Sequence, residues 1–166
     1  MKKNSIALIV SVYLIALPVI AKDSHCSEQE QTIFSCSLGK KIVSVCASKD
    51  ISPTQGYLQY RFGPKKAPEL LFPVSTEPTN RSSMRAGTLM FSGGGGAYLR
   101  FINGSFNYIV YTAIGKGWGT KEGVTVEKDG KLIANLKCKD VPISELGEDF
   151  FTRVNLTVEQ DEFVLP

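Results

Sequence analysis

Four cysteines and one histidine are the residues best suited to chemistry in this chain: Cys26, Cys36, Cys46, Cys138 and His25. Thiolates with an imidazole can cage zinc, or act as a nucleophile and its base, and both uses depend on spacing. No C-x-x-C pair occurs, and His25 falls in what reads as an unanchored N-terminal tail. Neither a metal cage nor a Cys-His pair is expected, and no cofactor is implied. An even set of four cysteines in an exported chain reads instead as two disulfides, which removes the thiols from nucleophilic work.

Strand geometry narrows the pairing. In TIFSCSLGKKIVSVCAS a two-residue turn at Gly39 and Lys40 pairs Leu38 with Lys41, hence Cys36 with Val43 and Ile33 with Cys46. Side chains alternate faces along a strand, so Cys36 and Cys46 point to opposite sides and do not bond to each other. Two connectivities remain: Cys26 to Cys46 with Cys36 to Cys138, which is preferred, or Cys26 to Cys36 with Cys46 to Cys138.

Other catalytic patterns are missing. There is no G-x-S-x-G elbow, no H-E-x-x-H pair and no nucleotide-binding glycine motif leading to Lys and Ser or Thr. The carboxylates Glu69, Glu122, Glu127, Asp129, Glu145 and Glu148 fall at strand ends, in loops or on a helix face and read as solvated charge. The expectation is a protein that binds and does not catalyse.

Two stretches offer a binding surface. FSGGGGAYLRF sets Gly93, Gly94, Gly95 and Gly96 after Ser92 and before a strand, so the glycines read as a strand-to-strand turn whose main-chain amides can meet a partner. A phosphate cradle would lead into a helix instead. In the strand that follows, Tyr98, Arg100 and Ile102 share one face. Arg61 shares a face with Tyr57 and Gln59 on another strand and extends a basic, aromatic surface if the two faces coincide. The second stretch, AIGKGWGTKEG, carries the single tryptophan, Trp118. It reads as a plug folded on the core or as an exposed anchor of the kind enriched at interfaces; burial statistics favour the plug.

These residues need a scaffold, and the pattern is β throughout. Short apolar runs bounded by Gly, Pro, Asn and Asp predict strands over 31–38, 41–47, 57–62, 69–72, 87–92, 97–103, 106–114, 124–128 and 131–139. Asn103 with Gly104, and Asp129 with Gly130, predict type I′ hairpin turns. Residues 73–87 read as an exposed connection. Residues 143–154 predict a short helix with Ser144 as N-cap, with Leu146, Phe150 and Val154 on its apolar face and Glu148, Asp149 and Arg153 outward. The fold class is mainly β: an antiparallel β-sandwich or small β-barrel with a short C-terminal helix.

The first residues place Lys2 and Lys3 before an apolar run ending at Ala21. This reads as an export signal over 1–21, with 22–166 forming a single disulfide-bonded β domain. The chain has 19 Lys and Arg against 16 Asp and Glu; loss of Lys2 and Lys3 leaves 17 against 16, a balance of +1. Near neutrality gives no electrostatic case for nucleic acid. A periplasmic or secreted setting follows, with no membrane span in the mature chain and a protein as the expected partner.

CSLGKKIVSVCAS, YLQYRFGP, FSGGGGAYLRF and YTAIGKGWG together resemble small exported proteins of proteobacteria to which no activity attaches. Phe34-Ser35-Cys36 followed by Gly39-Lys40 is also remotely similar to the periplasmic inhibitors of c-type lysozyme, small antiparallel β-barrels with a Ser-Gly-x-x-Tyr inhibitory loop. Ser92, Gly93 and Tyr98 follow that pattern with two extra residues before the tyrosine. The resemblance implies a periplasmic inhibitor-type binding protein. An immunity protein against a periplasm-targeted toxin, or a structural envelope protein, asks for the same scaffold.

Overall fold

β-branched and aromatic residues alternating with polar ones predict half-buried strands, and a computed structural model of the protein forms them in two sheets. It describes residues 23–77, 81–159 and 163–166; the expected export signal over 1–21 lies outside the described residues. In chain order the elements are β1 (Glu30–Ser37), β2 (Lys41–Ser48), β3 (Leu58–Pro64), β4 (Leu70–Phe72), β5 (Met84–Phe91), β6 (Gly94–Asn103), β7 (Phe106–Gly115), β8 (Gly119–Lys128), β9 (Lys131–Lys137), β10 (Ile143–Ser144) and α1 (Glu148–Arg153). Sheet A runs β10-β1-β2-β3-β4 and sheet B runs β5-β6-β7-β8-β9, each with antiparallel neighbours. The fold is an antiparallel β-sandwich with one short C-terminal helix.

Between the sheets lies the main core, in which Phe34, Val43, Val45 and Tyr60 of sheet A meet Ala86, Leu99, Phe101, Val110 and Val124 of sheet B. β3 travels across sheet B. Its Tyr60 lies tilted 5.7 Å from Phe101 of β6 and stacks on Tyr108 of β7 at 5.2 Å, and its Phe62 shares a cleft with Leu136 of β9. The two sheets therefore cross and do not cover each other completely, leaving overhangs at their margins.

Cys26 bonds Cys46, and Cys36 bonds Cys138, the preferred pairing. One local expectation needs correction: Cys46 pairs with Thr32 and not Ile33, because a bulge between Thr32 and Phe34 takes up one residue. The bulge lies beyond Phe34, so it leaves the Cys36 to Val43 register intact and the opposite-face argument holds. The second bridge ties β1 to the end of β9, a sequence separation of 102.

The hairpins separate two turn chemistries. Asp129 and Gly130 both take positive φ, 50° and 71°, between the paired Lys128 and Lys131, as a type I′ turn requires. Asn103 instead pairs with Phe106 inside the ladder, so Gly104 and Ser105 form the turn and positive φ falls on Gly104 alone, the type II′ pattern.

The helix is shorter than 143–154. Ile143 and Ser144 pair with Ser35 and Phe34 of β1, so Ser144 is not the N-cap; Gly147 holds that place. Glu148 and Asp149 in the first turn and Arg153 in the last complement the helix dipole, and Phe150, Phe151 and Val154 are buried.

Candidate functional site

The glycine run and the tryptophan loop, far apart in sequence, meet at one end of sheet B. The turn itself is Ser92 with Gly93, the latter at φ 77°, while Gly94, Gly95 and Gly96 belong to β6 and pair with both β5 and β7. A four-residue turn presenting free amides is therefore not what forms. The ladder uses these glycines for close approach: a Cβ on Gly94 would strike the Ile114 carbonyl oxygen, and one on Gly96 the Thr112 carbonyl oxygen. Across the strands Lys116 N donates to Gly93 O at 3.1 Å, locking the two loops together.

Trp118 lies over Gly115, where any Cβ would meet the indole, and sets its ring edge-on to Phe91 at 5.7 Å with an interplanar angle of 78°. The Lys121 ammonium sits 5.4 Å from the indole. The tryptophan is 40 % exposed and stays outside both cores, so it caps the tip.

The other side of the same tip is the inner face of sheet B, and the register resolves it into rows. Ala86, Leu99, Val110 and Val124 form a core row, each fully buried. Two residues further along come Thr88, Ala97, Thr112 and Glu122, then Met90, Gly95, Ile114 and Thr120. Each step moves roughly 7 Å along the strands. In the last row Met90 is 88 % and Ile114 60 % exposed, although they continue the face that is core two steps earlier. Sheet A does not reach them. Leu146 and Gly147, ahead of α1, overhang the two outer rows and close a groove of ≈ 460 Å³. Small residues make its floor, apolar ones its rim, and among the described residues Glu122 is the only ionisable side chain lining it.

Of the residues singled out in the sequence, Ser92, Gly93, Gly94, Gly95, Gly96 and Trp118 gather at this tip. Tyr98 and Arg100 do not join them. Tyr98 is 1 % exposed on the outer face, where Phe163 covers it at 5.0 Å, about 17 Å along the strand from Gly93. The Ser-Gly-Tyr spacing is thus not a single loop. Arg100 is engaged by Glu127 and Glu159, each at 2.7 Å. Its burial alone would lower the guanidinium pKa, but those two carboxylates raise it.

Arg61 sits on the outer face of sheet A, so its face and that of Arg100 do not coincide. There it forms an ion pair with Glu30, hydrogen-bonds Gln59 Oε1 at 2.8 Å and donates to His25 O at 2.7 Å. Burial would raise the Glu30 carboxyl, but hydrogen bonds from Arg61, Tyr57 and Ser27 outweigh it and hold the pKa at about 2. The N-terminal segment is not an unanchored tail. His25 is fixed by its own N–H to Ser44 Oγ at 3.0 Å, by Nε2 at 3.2 Å from Gly63 O, and by the adjacent disulfide.

Met90, Ile114, Thr88, Thr112 and Thr120 carry no mark in the sequence, and Glu122 reads there only as solvated charge. Their alternation is ordinary strand alternation; only the sheet crossing exposes them. Chemically the groove offers apolar contact, threonine hydroxyls and one carboxylate, and among the described residues its lining holds no histidine, lysine or cysteine. Comparison of this chain with protein-family models, curated proteins and solved structures returns no match.

Proposed function

We propose that this chain is a non-catalytic, inhibitor-type binding protein of an exported, oxidising compartment, and that a protruding loop of a folded protein partner docks on the overhanging rows of sheet B. The observation that carries the reading is the exposure of Ile114 at the rim of a groove floored by Gly95 and Ala97, with Met90 exposed beside Gly95 in the same row. Large apolar side chains left open on a rigid ladder mark an interaction surface, and small floor residues leave room for a bulky anchor from the partner. The occupant is a loop carrying one large apolar side chain, with a hydroxyl beside it to meet the threonines. Two formed disulfides suit an oxidising compartment.

The remote similarity to inhibitors of c-type lysozyme supplies the first partner to test. Purified protein slows cell-wall lysis by such a lysozyme at near-stoichiometric amounts, and Met90→Asp with Ile114→Asp abolishes the effect while the thermal transition stays in place. Unimpeded lysis at large molar excess rejects the lysozyme reading. The immunity reading uses the same surface against a toxin domain and predicts a toxin gene beside this one; an empty neighbourhood counts against it.

A further inference from the structure

A sheet edge leaves peptide groups unpaired, and three of the four edges here are managed. β4 and β10 are only three and two residues long. β5 is overlaid by residues 157–159: Ala86 N donates to Thr157 O at 3.0 Å, and Ala86 O accepts from Glu159 N at 2.9 Å. β9 differs. It is seven residues long, pairs with β8 on one side, and among the described residues has no strand on the other. Cys138 N donates to Glu122 O at 2.9 Å, which sets the phase of the antiparallel ladder. Ala134 and Leu136 turn their peptide groups toward β8; Asn135 and Lys137 turn theirs outward.

Apolar surface and charge accompany this open edge. Leu132 and Ile133 are 56 % and 57 % exposed. A cleft of ≈ 440 Å³ opens where sheet A overhangs β9, lined by Leu38, Phe62 and Leu136 with Lys40 and Lys41 at its mouth. Lys41 is held by Glu69, and Lys40 is exposed. Lys128, Lys131, Lys137 and Lys139 are all exposed along the strand and its ends, against Asp129 and Asp140. The edge is positive.

We infer that β9 is a strand-addition site for an extended, acidic segment of another protein, which pairs with the outward peptide groups and sets an apolar side chain into the cleft of Leu38, Phe62 and Leu136. Charge decides against a second copy of this chain. Antiparallel self-pairing centred on Ala134 opposes Lys131 to Lys137 twice, and like charges directly across a ladder destabilise it. The lysines that protect the edge from its own kind thereby select an acidic strand. This site is separate from the groove at the tip of sheet B and does not depend on it.

The test titrates isotope-labelled protein with two capped peptides about eight residues long, one alternating Glu with Val and the other Lys with Val. The Glu/Val peptide shifts the amide resonances of Asn135 and Lys137, slows their hydrogen exchange, and binds roughly tenfold tighter than the Lys/Val peptide. Lys131→Glu with Lys137→Glu, both on the surface, reverses that preference. Equal affinity for the two peptides, shifts confined to Met90 and Ile114, no shift with either peptide at millimolar concentration, or dimerisation through β9 in sedimentation would each overturn the proposal.

Discussion

Each outer face of the sandwich is covered by one end of the chain, and the two covers are built from opposite chemistry. Residues 23–27 lie over sheet A on polar contacts: Ser35 Oγ donates to Asp23 O at 3.0 Å, Ser35 and Ser44 meet at 2.9 Å, and Arg61 joins Glu30 to the His25 carbonyl. Residues 163–166 lie over sheet B on apolar ones. There Phe163 packs between Tyr98 at 5.0 Å and Tyr111 at 5.7 Å, with Leu89 and Ile109 completing a second small core. Buried polar contacts are directional, so the first cover has a fixed register, but each partner must be satisfied and correctly ionised. Apolar contact depends on area alone. The first cover accordingly carries a covalent tether, Cys26 to Cys46, and the second has none among the described residues.

The largest effect that breaks this comparison is Phe163→Ala. Losing the ring between two tyrosines costs about 4 kcal/mol, read from denaturant unfolding, and exposes Tyr98 and Tyr111 to quenchers. Next is the tether. Cys26→Ser with Cys46→Ser releases a loop with a sequence separation of 20, worth about 3 kcal/mol in the chain-entropy model, and loosens the His25 contacts without disturbing the second core.

Acid separates the faces without mutation. Glu30 has a folded pKa of about 2, below its unfolded value near 4.3, so the stability it contributes is complete above the unfolded value and is lost as pH falls toward the folded one. Between pH 7 and about pH 3 this amounts to about 2 kcal/mol. Glu30→Gln removes that part of the acid dependence, whereas Phe163→Ala leaves it unchanged. Equal acid sensitivity in wild type and Glu30→Gln would assign the effect elsewhere.

Nine of the ten strands were legible because each run alternates or ends at a turn residue, and the disulfides because Cys36 and Cys46 must face opposite ways. What local pattern could not carry was long-range coverage. Tyr98 looked like a surface aromatic, since nothing in AYLRFIN says that Phe163 crosses it 65 residues later by sequence number. His25 looked loose because its anchors, Ser44 and Gly63, come from other strands. Ser144 satisfied the helix-cap rule and was taken by β1 instead, a tertiary pairing overriding a local preference. Met90 and Ile114 lie in expected strands that carry no signal of exposure; they continue a core face and are open, because the crossing of the sheets is a property of the whole fold.

Lys121 joins the apolar cover to the binding tip, and its loss gives the smallest effect. Its ammonium donates to the main-chain oxygen of Pro166 at 2.8 Å while lying 5.4 Å from the Trp118 ring. Lys121→Met keeps the apolar stem and removes both contacts, costing about 1 kcal/mol. The shift in the unfolding midpoint is accordingly the smallest of the set. The sharper readouts are local: Trp118 fluorescence changes as the indole loses its cation, and amide exchange at Leu165 speeds up while exchange at His25 and Cys26 does not. If both covers loosen together, they are one cooperative unit and the contrast between them is only one of composition; if the C-terminal cover loosens alone, the two faces open independently.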